Sequence, residues 1–271
     1  MIKSSWDDRI RRADELSAKY PFAAEVLGFY RQIASFQKDL YLYLTKTCGS
    51  GIEKRENGSL RQELDLIVLL PKFPIFLSMV ERVGPEPLAN SAAALKQSGV
   101  AKWSELLTTC WTPESQQGPP SDPSHTFLAK AFLQAYGEYL ADHTDHPPVN
   151  STPSVCPLCG GRPLVGVLRQ EGDGAKRSLI CSLCLTEWEY RRIVCPACGE
   201  ENVEKLAVYT TSDYEHVRVE ACDTCGYYIK TVDLTKNGLA IPVVDELATI
   251  PLNLWAEEKG YKKIEPNLIG V

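Results

Sequence analysis

Eight of the ten cysteines fall in four Cys-x-x-Cys pairs: Cys156/Cys159, Cys181/Cys184, Cys195/Cys198 and Cys222/Cys225. No other feature restricts the fold as strongly, because these residues are the ligand complement of two tetrahedral four-thiolate metal sites. The first two pairs enclose 21 residues and the last two 23, so one unit, Cys-Pro-x-Cys-Gly followed by chain enough for two strands and then Cys-x-x-Cys, occurs twice in tandem. The matched loops predict that Cys156, Cys159, Cys181 and Cys184 surround one ion and Cys195, Cys198, Cys222 and Cys225 the other. A crossed arrangement would instead join the two inner pairs and close the outer pairs together. Two residues between cysteines let a tight turn aim both sulfurs at one ion, and a glycine after the second cysteine can take the positive φ that closes it. Gly160, Gly199 and Gly226 supply that glycine. Leu185 follows the remaining pair, where a turn with different backbone angles, or a more open one, is expected.

With every ligand supplied by protein, no coordination position is left for water or substrate, and such a closed site does structural work. Disulfides suit small secreted scaffolds. Here Met1 to Asp8 leads into charged residues without an apolar stretch, and a reducing cytoplasmic location is expected. The formal charge is −6, and no segment approaches the roughly 20 apolar residues that cross a bilayer; the strongest run, Leu64 to Leu70, is far too short. Membrane insertion is therefore not expected. Residues 156–233 hold 9 Lys/Arg against 12 Asp/Glu, and each loaded thiolate site adds negative charge, which argues against a nonspecific nucleic-acid clamp.

Polar, Pro- and Gly-rich clusters punctuate the chain at Gln116 to Ser124 and at His146 to Pro157, the second marking a domain boundary. Upstream the apolar period is helical. Phe22, Val26, Phe29/Tyr30, Ile33, Phe36/Gln37, Leu40 and Leu44 make one long amphipathic helix. A second helical stretch runs from about Leu60 to Leu70 and is interrupted by Pro71 and Pro74. Shorter helices are expected at Leu77 to Val83, Ala89 to Gln97 and Trp103 to Trp111. A last stripe, Phe127, Ala131/Phe132, Ala135/Tyr136 and Tyr139/Leu140, follows a cap at Ser124. Downstream, short β-branched and aromatic runs flank the cysteine turns: Pro163 to Gln170, Lys176 to Ile180, Trp188 to Val194, Leu206 to Thr210, His216 to Ala221 and Tyr227 to Leu234. These read as two small antiparallel units, each pinned by a metal because neither buries enough core alone. One final helix is expected from Asp245 to Gly260, with Leu247, Ile250, Leu254 and Trp255 on one face.

The fold class is therefore α+β: an all-helical domain over 1–149, two tandem metal-binding β modules over 150–192 and 193–240, and a C-terminal helix and tail over 241–271. Metal loss is expected to unfold residues 150–235 and leave the helical half largely folded.

The motifs Cys156-Pro-Leu-Cys-Gly160, Cys181-Ser-Leu-Cys-Leu-Thr-Glu-Trp188 leading to Cys195-Pro-Ala-Cys-Gly199, Ala221-Cys-Asp-Thr-Cys-Gly226 with Tyr-x-Lys-x-Val-Asp ending at Asp233, and Gly260-Tyr261 with Pro266-Asn267 resemble the formate dehydrogenase accessory proteins, called FdhE. The resemblance covers residues 150–271; the helical half is compatible with it. It implies that the two tandem β modules are rubredoxin-like (zinc-ribbon-like) and follow a helical N-terminal domain, with two metal ions per chain, iron favoured and zinc possible, and all eight cysteines match the family's ligand positions. Leu185 stands where the family does not require glycine. The resemblance also implies a cytoplasmic protein that binds the catalytic subunit of formate dehydrogenase, a molybdenum or tungsten enzyme, and helps to produce its active form. The sequence does not fix the oligomeric state.

Outside the cysteine pairs little points to chemistry. Trp188 to Arg192 joins the two sites, its aromatics packing between modules while its arginines offset thiolate charge, or else forms part of a partner surface. His216 reads as a residue of the strand surface or a neighbour of the thiolates. His125, His143 and His146 lie at helix ends and linker, and Cys48 and Cys110 as small hydrophobes. No Ser-His-Asp order, phosphate-binding glycine loop or His-Glu-x-x-His pattern occurs, so an enzyme is not expected. The favoured reading is a partner-binding assembly factor, the alternative a rubredoxin-like redox protein acting on a metalloenzyme client. A zinc-ribbon nucleic-acid module is disfavoured by charge.

Overall fold

A computed structural model describes residues 5–49, 59–112, 122–144 and 153–267. The chain opens with α1 (Trp6–Lys19), where Ser5 and Asp8 form a capping box. Its dense charge hides the helix from a search for apolar stripes, and Ser5-Trp6-Asp7-Asp8 is the signal that reveals it. The long helix α2 (Ala24–Cys48) buries Leu27, Phe29, Tyr30, Ile33, Ala34, Gln37, Leu40 and Leu44, close to the expected stripe. Phe22 precedes it in a 3-10 turn and is exposed.

The Leu60–Leu70 stretch is a 3-10 turn (Leu60–Gln62) and a single-turn helix, α3 (Leu66–Leu69), capped by Asp65. Pro74 does not interrupt a helix but starts one: it occupies the second position of α4 (Phe73–Val83), where a missing N–H costs nothing. Then come α5 (Glu86–Gln97), α6 (Val100–Trp111) and α7 (Pro123–Asp142). Asp122, not Ser124, caps α7, accepting the Ser124 and His125 backbone N–H groups. From Ala131 to Ala141 every residue of α7 is buried, so it is the central helix rather than an amphipathic surface one. The buried Arg9 of α1 donates to both carboxylate oxygens of Glu138 on α7 at 2.9 and 2.7 Å.

Among the described residues seven strands follow: β1 (Pro163–Glu171), β2 (Gly174–Cys181), β3 (Glu187–Glu189), β4 (Leu206–Tyr209), β5 (Val217–Cys222), β6 (Tyr227–Asp233) and the short β7 (Lys262–Lys263). The order β3-β2-β1-β6-β5-β4, with β7 on β6, joins the two antiparallel units into one sheet through a parallel β1/β6 pairing. That junction was not expected from two separate units, and its physical basis is Gly166. A Cβ there would lie 2.3 Å from Thr231 Oγ1, so only glycine lets the two strands meet at that register. β3 is shorter than expected because the chain must turn toward Cys195; Arg177 holds that turn by donating to the carbonyls of Arg191 and Val194.

The final helix is two helices, α8 (Pro242–Ala248) and α9 (Ile250–Glu258). Pro251 has no N–H for the turn before it, and the helix breaks at Thr249. Leu247 is buried while Leu254 is exposed, so the expected single face is divided. Glu246 of α8 anchors this segment to the sheet through Lys230 and Lys263. Burial alone would raise its carboxyl, but the two ammonium groups outweigh it and hold the group at about 2. His216 is not on a strand surface: it is buried and its Nε2 lies 2.8 Å from Asp245 Oδ1 of α8. The 149/150 boundary, residues 146–152 of the linker, residues 116–121 of the earlier polar cluster and the last four residues of the tail lie outside the described residues.

Candidate metal centres

Each cysteine pair sits on a turn that the backbone closes tightly. The N–H of Gly160 reaches Cys156 O at 2.8 Å, that of Gly199 reaches Cys195 O at 2.9 Å and that of Gly226 reaches Cys222 O at 2.8 Å. The three glycines have φ of 68°, 79° and 72°. Leu185 departs from expectation: it adopts φ 54°, the same left-handed conformation, and is the only non-glycine with positive φ among the described residues. The strain, about 1–2 kcal/mol, is offset by burial of its side chain with Leu164, Val165 and Ile180.

The turns bring the thiols together in the tandem grouping. Cys156, Cys159, Cys181 and Cys184 form one cluster and Cys195, Cys198, Cys222 and Cys225 the other, with all sulfurs of a cluster within 4.8 Å of one another. Metal–sulfur bonds of about 2.3 Å in a tetrahedron place sulfurs about 3.8 Å apart. The pairs Cys195/Cys225 and Cys198/Cys222 are each at 3.7 Å, and Cys156/Cys184 and Cys159/Cys181 are at 3.5 and 3.4 Å. The donor sets thus fit four-coordinate iron or zinc. Burial, reinforced by the neighbouring thiols, holds Cys181 well above the ordinary thiol range, and burial first among several causes pushes Cys195 up to about 11. Burial opposes ionisation at Cys222 too, yet the N–H groups of Cys225 and Thr224 outweigh it and lower that thiol. Four such groups become thiolates together only around a cation.

The surroundings of the two clusters differ. The first is fully buried and belongs to the same apolar cluster as α7. Gly137 of α7 abuts it, since a Cβ there would meet Leu183 O at 3.3 Å and Cys184 Cα at 3.4 Å. Gln134 donates to Ser182 O at 2.8 Å, and Arg61 donates to Cys159 O at 3.0 Å. Gly161, Gly137, Gln134 and Arg61 escape a reading of the sequence; only the Gly160-Gly161 doublet after Cys159 hints that backbone approaches the sulfurs. In the second cluster Cys198 is exposed and Cys225 half-buried.

The linker Trp188 to Arg192 packs as aromatics between the modules. Trp188 Nε1 donates to Pro153 O at 2.9 Å, and Tyr190 is buried with Arg177 over its ring at 5.4 Å. Arg191 pairs with Glu201 rather than offsetting thiolate charge. Cys48 and Cys110 are half-buried, as expected for small hydrophobes. His125 lies 3.6 Å from Asp122 and His143 packs on Tyr139 at the end of α7, while His146 lies outside the described residues.

Fold and site together define a helical protein carrying two four-cysteine clusters, each able to hold a metal ion, on one sheet. The family models "FdhE, central domain" and "FdhE, C-terminal domain" match residues 155–192 and 193–269. A protein FdhE homolog of Aquifex aeolicus is 28% identical over 96% of this chain and 94% of its own length. One from Pseudomonas aeruginosa is 32% identical over 53% of this chain and 48% of its own. The chain belongs to the FdhE family. The crystal structure of the FdhE protein from Pseudomonas aeruginosa superposes with a TM-score of 0.70 at 22% identity, covering 100% of this chain and 98% of that one, a likeness of fold. Among the described residues no helix is long and apolar enough to cross a membrane.

Proposed function

We propose that this chain is a cytoplasmic, non-enzymatic accessory factor that binds the catalytic subunit of formate dehydrogenase and is required for its active form. The observation that carries the reading is the pair of four-cysteine clusters: each can supply all four ligands of a metal from the protein, an arrangement that suits a rigid frame and would give substrate no coordination position. The eight cysteines hold two metal ions, iron in preference to zinc, in modules at 150–192 and 193–240 that follow a helical domain at 1–149 and precede the C-terminal segment 241–271. The β1–β2 hairpin tip, exposed from Gln170 to Gly174, and the exposed Arg191-Arg192-Ile193 segment present contacts to the subunit. Ser212 to His216 contributes less, because Tyr214 and His216 are buried.

Deleting the gene should abolish or sharply lower formate dehydrogenase activity with the catalytic polypeptide still made, and changing both cysteines of a pair to serine should mimic the deletion. Full activity in the deletion strain, with no redundant factor present, would refute the assignment. A rubredoxin-like redox role is the second reading, favoured by the exposure of Cys198; a reversible one-electron potential of the iron-loaded chain would support it.

A further inference from the structure

The two clusters are mounted so differently that a single role for both is hard to sustain. Around the first, all four thiols lie within the main apolar cluster together with Leu158, Leu183, Trp188 and the inner residues of α7. Its sulfurs accept N–H groups from Gly161 and Leu183, each at 3.4 Å, and Thr186 Oγ1 lies 3.1 Å from Cys184 Sγ. Backbone fills the remaining space: a Cβ at Gly161 would stand 2.9 Å from Cys181 Sγ and 3.2 Å from Cys159 Sγ. Freeing one of these ligands means parting the modules from α7. The second cluster is covered only in part: Cys195 and Cys222 are buried and the Ala197 N–H reaches Cys195 Sγ at 3.4 Å, but Cys225 is only half-buried. None of its thiols joins an apolar cluster of the described residues, Cys198 is exposed, and Ala197 and Gly199 on either side of it are exposed as well.

We infer that the two sites divide the work: the first is a permanent staple between the sheet and the helical domain, and the second is an exchange site that opens at Cys198 to soft donors from solution. The inference rests on the reading that all eight cysteines hold metal. Its chemistry is ligand substitution. An incoming thiol gives its proton to the departing Cys198 sulfur and takes that sulfur's place on the metal, so the Cys198–metal bond breaks as the new metal–sulfur bond forms and the oxidation state is unchanged. Local opening at a site of low burial needs no wider unfolding, whereas opening of a buried site draws on the stability of the core around it.

The test uses the full chain loaded with zinc, treated with EDTA and N-ethylmaleimide, with zinc release followed in time and alkylated cysteines mapped by mass spectrometry. One equivalent should leave at least about tenfold faster than the other. In that interval label should appear first on Cys198 and then on its three partners, with Cys156, Cys159, Cys181 and Cys184 unlabelled. Titrating the cadmium-loaded chain with glutathione should shift one of two cadmium resonances and leave the other in place. Loading that stops short of two equivalents would refute the ligand reading and the inference with it. Two equivalents that leave at one rate, or label that reaches the first cluster early, would overturn the division of roles while leaving the ligand reading intact.

Discussion

At the scale of single residues, the backbone around the sulfurs is as specific as the sulfurs themselves. Gly161→Ala places a methyl group within 2.9 Å of Cys181 Sγ and 3.2 Å of Cys159 Sγ, the sulfurs proposed to hold the first metal. The variant should bind one equivalent of metal tightly instead of two, with the second cluster undisturbed, as elemental analysis of the purified protein would show. Two equivalents at wild-type affinity would mean that the first cluster is looser than its packing indicates. The grouping of the cysteines was legible in the sequence because Cys-x-x-Cys spacing is itself the geometry of the turn. Leu185 was misread for an instructive reason. The rule that positive φ favours glycine weighs a local cost of about 1–2 kcal/mol, and it says nothing of the apolar burial, about 1.5–3 kcal/mol for a leucine side chain, that opposes it. His216 was misread similarly, since its partner Asp245 lies 29 residues away on an element whose docking no local pattern encodes.

At the scale of elements, strands and helices were largely visible but their junctions were not. Hairpins declare themselves through alternation and turns, whereas the parallel β1/β6 pairing unites segments more than 60 residues apart and leaves as its trace one glycine inside an apolar run. Gly166→Ala tests that junction. The added methyl meets the side chain of Thr231, which is fully buried, with Thr231 Cβ and Cγ2 at 3.2 and 3.4 Å behind the hydroxyl. Overpacking of this kind costs about 1–3 kcal/mol. Denaturant unfolding of the metal-loaded variant should show that loss, and hydrogen exchange should place the weakened amides at Gly166–Leu168 and Thr231–Asp233. An unchanged midpoint would mean that the two hairpins are held together by their helices and not by the sheet. The break between α8 and α9 belongs to the same class: Pro251 was in plain view, but the amphipathic count from Leu247 to Trp255 passed over it.

For the whole molecule, the main apolar cluster decides how the parts depend on one another. A chain read as a helical half and a metal half should lose only the second when metal is removed. Yet Phe132, Tyr136 and Leu140 of α7 share one cluster with Cys156, Cys159, Cys181 and Cys184, and Trp103 and Trp111 of α6 lie in it too. Losing the first ion would leave four crowded thiols and a gap in the floor of the helical domain. Losing the second would leave a frayed edge of the sheet. Replacing Cys195 and Cys198 by serine should therefore remove one metal and preserve the near-ultraviolet circular dichroism and tryptophan emission of the helical half. Replacing Cys156 and Cys159 should also remove one metal, but with a lower midpoint for the helices, because buried apolar contacts around α7 are lost with the site. Equal helical stability in the two double variants would restore the simpler picture of independent halves, and would show that α7 holds its own core without the sheet beneath it.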